Sequence, residues 1–259
     1  MPALSSIADF DRIFDVYHGD AKLDGPSPFL RAMNMVSGGE SRLLSRDALG
    51  YVVNDYLRRW GGMGRVLGGC VSASEPDSVR DSLADSLEYR WKTIRALRGC
   101  SIQELRAGDA TVAEISELFD DLLDKWTIPP AVAGRASPKT HVGVAKVLAV
   151  VVPSLCVIWD NVYVLKGGLR SASEDSRTPI FRPSADGVGY SGYLVEKASQ
   201  LRATAENESL TPAKLVQTVE RTHSARLASV GGGTSEQYFE PITKILDEAN
   251  YREQLSVRG

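Results

Sequence analysis

Residues 145–164, AKVLAVVVPSLCVIWDNVYV, form the most apolar stretch of this 259-residue chain. A helix that is apolar on nearly every face is typical of a buried central element. A proline would be out of place in a central strand, so we predict a helix to about residue 152, a turn at Pro153 and Ser154, and a short extended segment ending at Asp160. One face of this helix carries apolar residues at helical spacing: Val144, Val147, Leu148 and Val151.

Asp160 places a carboxylate at the end of this buried segment, beside Trp159 and Asn161. Removing an unpaired charge from water is costly, so Asp160 needs a partner or a solvent-filled cleft. One interpretation is that Asp160 caps a following helix by accepting hydrogen bonds from its backbone amides. The other is that it faces a cleft as a catalytic carboxylate. The two are compatible, because a capping carboxylate can keep one oxygen free.

The formal net charge of −3 is inconsistent with a uniformly basic nucleic-acid-binding surface, but the charge is uneven. Residues 42–65 are net basic, and residues 135–170 carry five cationic side chains against Asp160 alone. If the fold brings these segments together, they form a local surface for an anionic ligand. The alternative is two ordinary solvated faces.

Residue types that bind metals and cofactors are dispersed along the chain. The cysteines, Cys70, Cys100 and Cys156, show no paired spacing, which argues against disulfides and thiolate metal sites. The histidines also lie far apart, and we find neither carboxylates at metal-ligand spacing nor a glycine-rich nucleotide motif. We therefore expect no cofactor and no metal, and a nuclease has little support. The histidines are His18, His141 and His223.

The N-terminus lacks the basic-then-apolar order of a signal peptide, and the apolar run is too short to span a bilayer. We therefore expect a cytoplasmic protein without a membrane partner.

Helical patterns dominate the remaining sequence. Capping-box spacings at Ser78 and Thr111 predict helices over about 78–97 and 111–128, the second stopped by Ile128-Pro129-Pro130. Further helices are predicted over 47–60, from Thr211 to the glycines at 231–233, and from about residue 235. Residues 166–192, rich in Gly, Ser, Pro and Arg, predict a long surface loop. The expected fold is all-α, one globular domain of residues 1–259 that can divide into lobes of about 1–130 and 131–259.

Three motifs together resemble the helix-hairpin-helix DNA glycosylase superfamily, in which a hairpin with Lys-Thr leads into a buried helix and an Asp follows an apolar segment. Here SPKT at 137–140 resembles the hairpin and LCVIWDNVYV at 155–164 the Asp-bearing segment. YLRRWGGMGRVL at 56–67 is similar to a block in bacterial relatives of this layout, and the chain resembles prokaryotic anti-phage glycosylases that remove modified cytosines.

The resemblance implies two helical lobes around a cleft and an enzyme that cleaves the N-glycosidic bond of a modified or damaged base in DNA, for phage defence or repair. It implies Asp160 as the catalytic carboxylate and Lys139 as a Schiff-base lysine, with Lys146 as the alternative. The flipped base needs a pocket, for which the expected residues are Trp159, Trp60 and Asn161. The expected DNA contacts are Arg58, Arg59, Arg65, His141 and Lys146.

A competing interpretation is a helical module without catalytic activity that binds nucleic acid or a protein. In that case Asp160 is only a helix cap and the tryptophans belong to the core.

Overall fold

The computed structural model describes residues 4–18, 26–60, 63, 64, 67, 76–129, 139–159 and 184–257, and for Trp60, Pro76 and 250–257 the backbone alone. Within these residues the chain is helical and forms no strand, which confirms the all-α prediction. The α-helices are α1 (Ile7–His18), α2 (Pro28–Val36), α3 (Glu40–Leu43), α4 (Arg46–Tyr51), α5 (Pro76–Tyr89), α6 (Trp91–Leu97), α7 (Ala110–Lys125), α8 (His141–Val151), α9 (Gly187–Asn207), α10 (Pro212–Gly231) and α11 (Ile242–Val257).

Side-chain caps define where several helices begin. Thr140 accepts from the Gly143 amide at 2.9 Å at the start of α8, and Asp186 accepts from Gly189 at 2.8 Å at the start of α9. Each cap satisfies an amide that has no partner within the helix. Thr211 caps α10 as predicted, and this helix ends at Gly232 in the left-handed conformation, with φ of 68°.

The predicted helix over 47–60 is present in two forms. It is α-helical from Arg46 to Tyr51 and then a π-helix from Val52 to Trp60. π-Helical turns are rare and are frequent at functional sites. Here the π-helix carries Arg58 and Arg59, two of the expected DNA contacts.

Tertiary contacts changed the ends of other predicted helices. The helix expected over 78–97 is broken at Arg90 into α5 and α6, where the Arg90 side chain bonds Asp121 on α7. The helix expected to 128 ends at Lys125, because the Trp126 indole turns inward and donates to the Val79 carbonyl at 3.1 Å. The last helix begins at Ile242 instead of residue 235.

The prediction of a loop over 166–192 is wrong for 187–192, which form the start of α9. Gly187 and Gly189 are poor helix formers, but here they permit close packing. A side chain at Gly187 would collide with the Ser116 carbonyl of α7. Residues 166–183 lie outside the described residues.

The apolar run forms the centre of the core, as predicted. Residues 143–151 of α8 are all buried, and α8 packs against α2, α7 and the π-helix. Turns follow at residues 153–155, and residues 156–159 continue without helix or strand. One hydrophobic core contains residues from both sides of position 130, among them Phe10, Leu49, Ile115, Leu148 and Leu246. A second, smaller cluster contains Phe14, Leu227, Ala228 and Tyr238.

None of the described helices combines the length and the apolarity needed to cross a membrane.

Candidate functional site

The segment Val157–Trp159 is held by two tyrosines of α9. The Tyr190 hydroxyl donates to the Val157 carbonyl at 3.0 Å, and the Tyr193 hydroxyl donates to the Ile158 carbonyl at 3.2 Å. These bonds satisfy carbonyls that lie in the core outside any helix, where an unpaired acceptor would be costly. The backbone that leads to position 160 is thus fixed to a long helix. Asp160 and Asn161 lie outside the described residues.

The Trp159 ring belongs to the core, whereas the prediction placed it in the wall of a base pocket. Its exposed fraction is 1%. Its ring centroid lies 5.6 Å from that of Phe119, 5.5 Å from Tyr190 and 6.4 Å from Tyr193. Packing among aromatic rings covers its faces, so it presents no open face on which a base could stack. Its Nε1 is buried without a hydrogen-bond partner among the described residues.

Lys139 and His141 lie at the start of α8, on either side of the cap Thr140. The Lys139 ammonium is exposed and forms an ion pair with Asp124 of α7. His141 is half-buried. Burial lowers the pKa of His141 and the Lys139 charge adds to this effect, against the opposing charges of Asp186 and Asp120. The imidazole is therefore biased toward its neutral form.

The start of α9 meets α7 at the same end of the bundle. Asp120 accepts a hydrogen bond from the Gly187 amide at 2.7 Å, and its neighbour Phe119 contacts Trp159. Asp186 accepts from the Ser184 hydroxyl at 2.6 Å and from Gly189, and both bonds lower the pKa of Asp186. The segment before position 160 and the first residues of α8 and α9 therefore gather around α7.

The predicted DNA contacts have different environments. Arg59 is exposed and pairs with Asp55 at 2.9 Å, whereas Arg58 is half-buried. Lys146 is buried within α8, which corrects the prediction that it contacts DNA, because its side chain points into the interior. Burial raises the pKa of Asp247. The Lys146 charge acts on Asp247 in the opposite direction and partly offsets this rise. Arg65 and the Trp60 side chain lie outside the described residues.

A surface pocket of about 220 Å³ lies at the opposite end of α8, lined by Met33, Arg98, Val151 and Pro153 among others. The Arg98 guanidinium is already committed there to three backbone carbonyls. None of the predicted site residues that the structure describes lines this pocket.

A second group of polar residues, absent from the sequence-based predictions, is buried where α1 meets α10 and α11. His18 Nε2 lies 3.2 Å from Glu248 Oε2 and 3.9 Å from Glu240 Oε2, and His223 Nδ1 lies 3.9 Å from the same Glu240 oxygen. Lys244 Nζ lies 3.0 Å from Glu248 Oε1. We call His18, His223, Glu240, Lys244 and Glu248 the interhelix cluster.

Charges within the interhelix cluster shift its pKa values strongly. Burial lowers the pKa of His18, but the hydrogen bond and charge of Glu248 outweigh burial and raise it. Burial and the Glu248 charge raise the pKa of Glu240. Lys244 is buried, yet Glu248 and Asp247 raise its pKa well above the ordinary value. The carboxylates thus create a region that attracts positive charge.

Sequence analysis missed the interhelix cluster because its histidines are far apart in the chain and come together only through helix packing. The available signal was a spacing of four residues between Glu240, Lys244 and Glu248. This spacing places side chains on one side of a helix, or of the residues that lead into it.

Comparisons of the chain with family models, curated proteins and solved structures find no match.

Proposed function

We propose that the protein is a DNA glycosylase that hydrolyses the N-glycosidic bond of a modified or damaged base, with Asp160 as the catalytic carboxylate. The observation that carries this proposal is the anchoring of Val157 and Ile158 by the Tyr190 and Tyr193 hydroxyls. Catalysis requires a carboxylate held in a fixed position, and the anchored backbone of Val157 and Ile158 supports that role for Asp160.

In the proposed reaction, the bond between the base nitrogen and C1′ of deoxyribose breaks with its electron pair leaving on the base. Positive charge develops on the sugar, and the Asp160 carboxylate stabilises it electrostatically. Asp160 also accepts a proton from the water that attacks C1′. The departing base takes up a proton from solvent and Asp160 returns its proton to solvent, so the products are a free base and an abasic site.

The start of α8 offers the Lys139 ammonium to the DNA backbone. The ion pair of Lys139 with Asp124 is exposed, and such pairs contribute only about 0–1 kcal/mol. Exchange of Asp124 for a phosphate therefore costs little. Arg59 is in a comparable position, with Asp55 as its exposed partner. Arg58, Arg65 and His141 complete the proposed phosphate contacts.

The flipped base needs a receiving surface. Because Trp159 is enclosed in the core, Trp60 and Asn161 remain the candidates for that surface. A hypermodified phage cytosine is the proposed substrate in a defence role, and a damaged base is the substrate in a repair role.

The test is incubation of the purified protein with single- and double-stranded DNAs that carry normal, damaged or hypermodified phage-type bases. Released base is measured by mass spectrometry and abasic sites by alkaline cleavage. Asp160→Asn should lower base release by at least about 100-fold, the range expected for loss of a transition-state stabilising group, and retain DNA binding. Asp85→Asn, at an exposed carboxylate of α5, is the matched control and should retain full activity.

A lyase step through Lys139 has a separate readout. Attack of the neutral lysine amine on C1′ expels the base with the electron pair of the glycosidic bond. Loss of an amine proton to solvent and opening of the deoxyribose ring, whose O4′ takes up a proton, then give a Schiff base that borohydride reduces to a stable covalent complex. Trapping by the wild type and loss of trapping in Lys139→Ala support this step, and absence of a trapped complex indicates simple hydrolysis.

The competing function is binding without catalysis, favoured by the structural roles of Trp159 and Lys146. DNA binding without release of any tested base, unchanged in Asp160→Asn, would overturn the enzyme proposal in favour of this module.

A further inference from the structure

The interhelix cluster brings metal-ligating atoms together in the core. The candidate ligand atoms of His18, Glu240 and Glu248 all lie within 4.8 Å of one another. Ligand atoms bound tetrahedrally at about 2.0–2.1 Å are separated by about 3.3 Å. His18 Nε2 lies 3.2 Å from Glu248 Oε2 and 3.9 Å from Glu240 Oε2, so ion binding requires these three ligand atoms to approach one another by at most about 1.5 Å, and His223 Nδ1, which lies outside this group, to move toward them.

Two buried atoms in this cluster lack the hydrogen bonds that buried polar atoms normally have. Glu240 Oε2 and His223 Nδ1 have no hydrogen-bond partner among the described residues, and their side chains are only 3% and 1% exposed. His223 Nε2 lies 3.2 Å from the Phe10 carbonyl oxygen, which can only accept. Nε2 is therefore a donor, and when the imidazole carries a single proton, Nδ1 presents a lone pair.

The lone pair of His223 Nδ1 thus faces a carboxylate oxygen of Glu240 across 3.9 Å. Two acceptors this close repel each other in a low-dielectric interior, and the separation is too long for a shared hydrogen bond. A cation between them would convert the repulsion into two favourable contacts.

We infer that His18, Glu240 and Glu248 bind a divalent transition-metal ion, with His223 Nδ1 as the fourth ligand. Two imidazoles and two carboxylates without a thiolate suit Zn²⁺, and also Fe²⁺ or Mn²⁺. Four protein ligands make a closed site, which is typical of a structural metal.

A lysine beside the ligands orients Glu248. Lys244 donates to Glu248 Oε1 at 3.0 Å and so leaves Oε2 directed at His18. Such contacts outside the ligand set orient metal-binding carboxylates. Lys244 acts on all three buried carboxylates, Glu240, Asp247 and Glu248, while Lys146 acts on Asp247 and His18 acts on Glu240 and Glu248.

The site would join three helices that are distant in sequence. His18 ends α1, His223 lies within α10, Glu248 lies in α11, and Glu240 shortly precedes α11. Since the unfolded chain does not assemble these ligands, binding should stabilise the folded state. The His18 side chain is 11% exposed, so the ion can approach beside this residue.

The test uses the full chain, purified without a metal-affinity tag. Elemental analysis should find one transition-metal ion per chain. Removal of the metal with EDTA should lower Tm, and addition of Zn²⁺ should restore it. Glu240→Gln and His223→Gln should each weaken Zn²⁺ affinity by more than about 100-fold in competition with a chromogenic chelator, since loss of an outer-shell partner alone costs about 10–100-fold.

Glu220→Gln is the matched control. Glu220 is a largely buried carboxylate on α10 that accepts from the Ile242 amide at 2.9 Å, and glutamine retains that acceptor. This variant should bind Zn²⁺ like the wild type.

A second readout does not depend on the stability of the variants. Co²⁺ added to the metal-free wild type should produce the visible absorption of a tetrahedral site with nitrogen and oxygen ligands. Absence of that spectrum, together with a Tm unaffected by EDTA or Zn²⁺, would overturn the inference. Base release is measured separately, so failure of the metal site and failure of the glycosylase proposal are distinguishable.

Discussion

The Tyr190 hydroxyl donates a 3.0 Å hydrogen bond to the carbonyl oxygen of Val157, fully within the core. This bond joins the longest described helix to the segment that follows the central apolar helix. Tyr190 also stacks against Phe119, with ring centroids 4.7 Å apart, so a single side chain connects α7, α9 and the backbone before position 160.

Tyr190→Phe should lower the free energy of unfolding by about 1–3 kcal/mol, because it removes the donor to a buried carbonyl while the ring packing remains. Urea unfolding measures the change. The control is Tyr89→Phe, at an exposed ring, where we expect a change within about 0.5 kcal/mol. Equal effects of the two substitutions would contradict the role assigned to the hydroxyl.

Gly187→Ala should destabilise the protein by about 1–3 kcal/mol, because the new methyl group meets the rigid Ser116 carbonyl of α7. Gly50→Ala is the control within α4, since nothing lies within 4 Å of the added carbon. That substitution should stabilise by about 0.5–1 kcal/mol through helix propensity. Thermal unfolding of both variants checks the opposite signs, and a neutral Gly187→Ala would show that α7 and α9 can separate freely.

Asp9 should make stability depend on pH. Burial raises the pKa of Asp9, but hydrogen bonds from Ser5 and Ser6 outweigh burial and bring it below the ordinary 3.8. The ionised form therefore stabilises the fold above pH 3.8, and this contribution is lost as pH falls through the folded-state pKa.

Asp9→Asn should accordingly cost about 1–3 kcal/mol at neutral pH and progressively less below pH 3.8. Denaturant unfolding at a series of pH values measures this difference. A cost that stays constant across the series would mean that the carboxylate charge is not the cause.

Arg98 donates hydrogen bonds to carbonyls at the C-terminal ends of α2 and α8. Its guanidinium donates to the carbonyls of Val151 at 2.9 Å, Val36 at 3.0 Å and Gly38 at 2.6 Å, and it lies 5.4 Å from the centre of the Trp91 ring. Arg98→Met should cost at least about 2 kcal/mol, because these carbonyls lose a charged donor. Arg95→Met, at an exposed position of α6 just before Arg98, should change stability by less than about 0.5 kcal/mol in the same urea experiment.

Local patterns sufficed for some elements and failed for others. The apolar run predicted α8 to about residue 152, close to its observed end at Val151, since a helix buried on most sides needs apolar residues all round. Thr211 and Gly232 similarly marked the ends of α10. By contrast, Gly187 and Gly189 disfavour helix locally, and α9 forms there because those glycines allow close contact with α7.

The candidate site divides in the same way. Its sequence indicated that Trp159 and Asp160 end a buried segment, but not that the tryptophan is enclosed by Phe119, Tyr190 and Tyr193. The spacing of the histidines in the sequence did not indicate that His18 lies beside Glu240 and Glu248.

The sequence by itself determined the helical class and the central position of residues 144–151, because apolar periodicity and capping residues act over a few positions. Only the tertiary structure decided which side chains share the interior, because contacts between helices distant in the chain depend on packing. For this reason the tyrosine contacts before position 160 and the interhelix cluster became visible only in three dimensions.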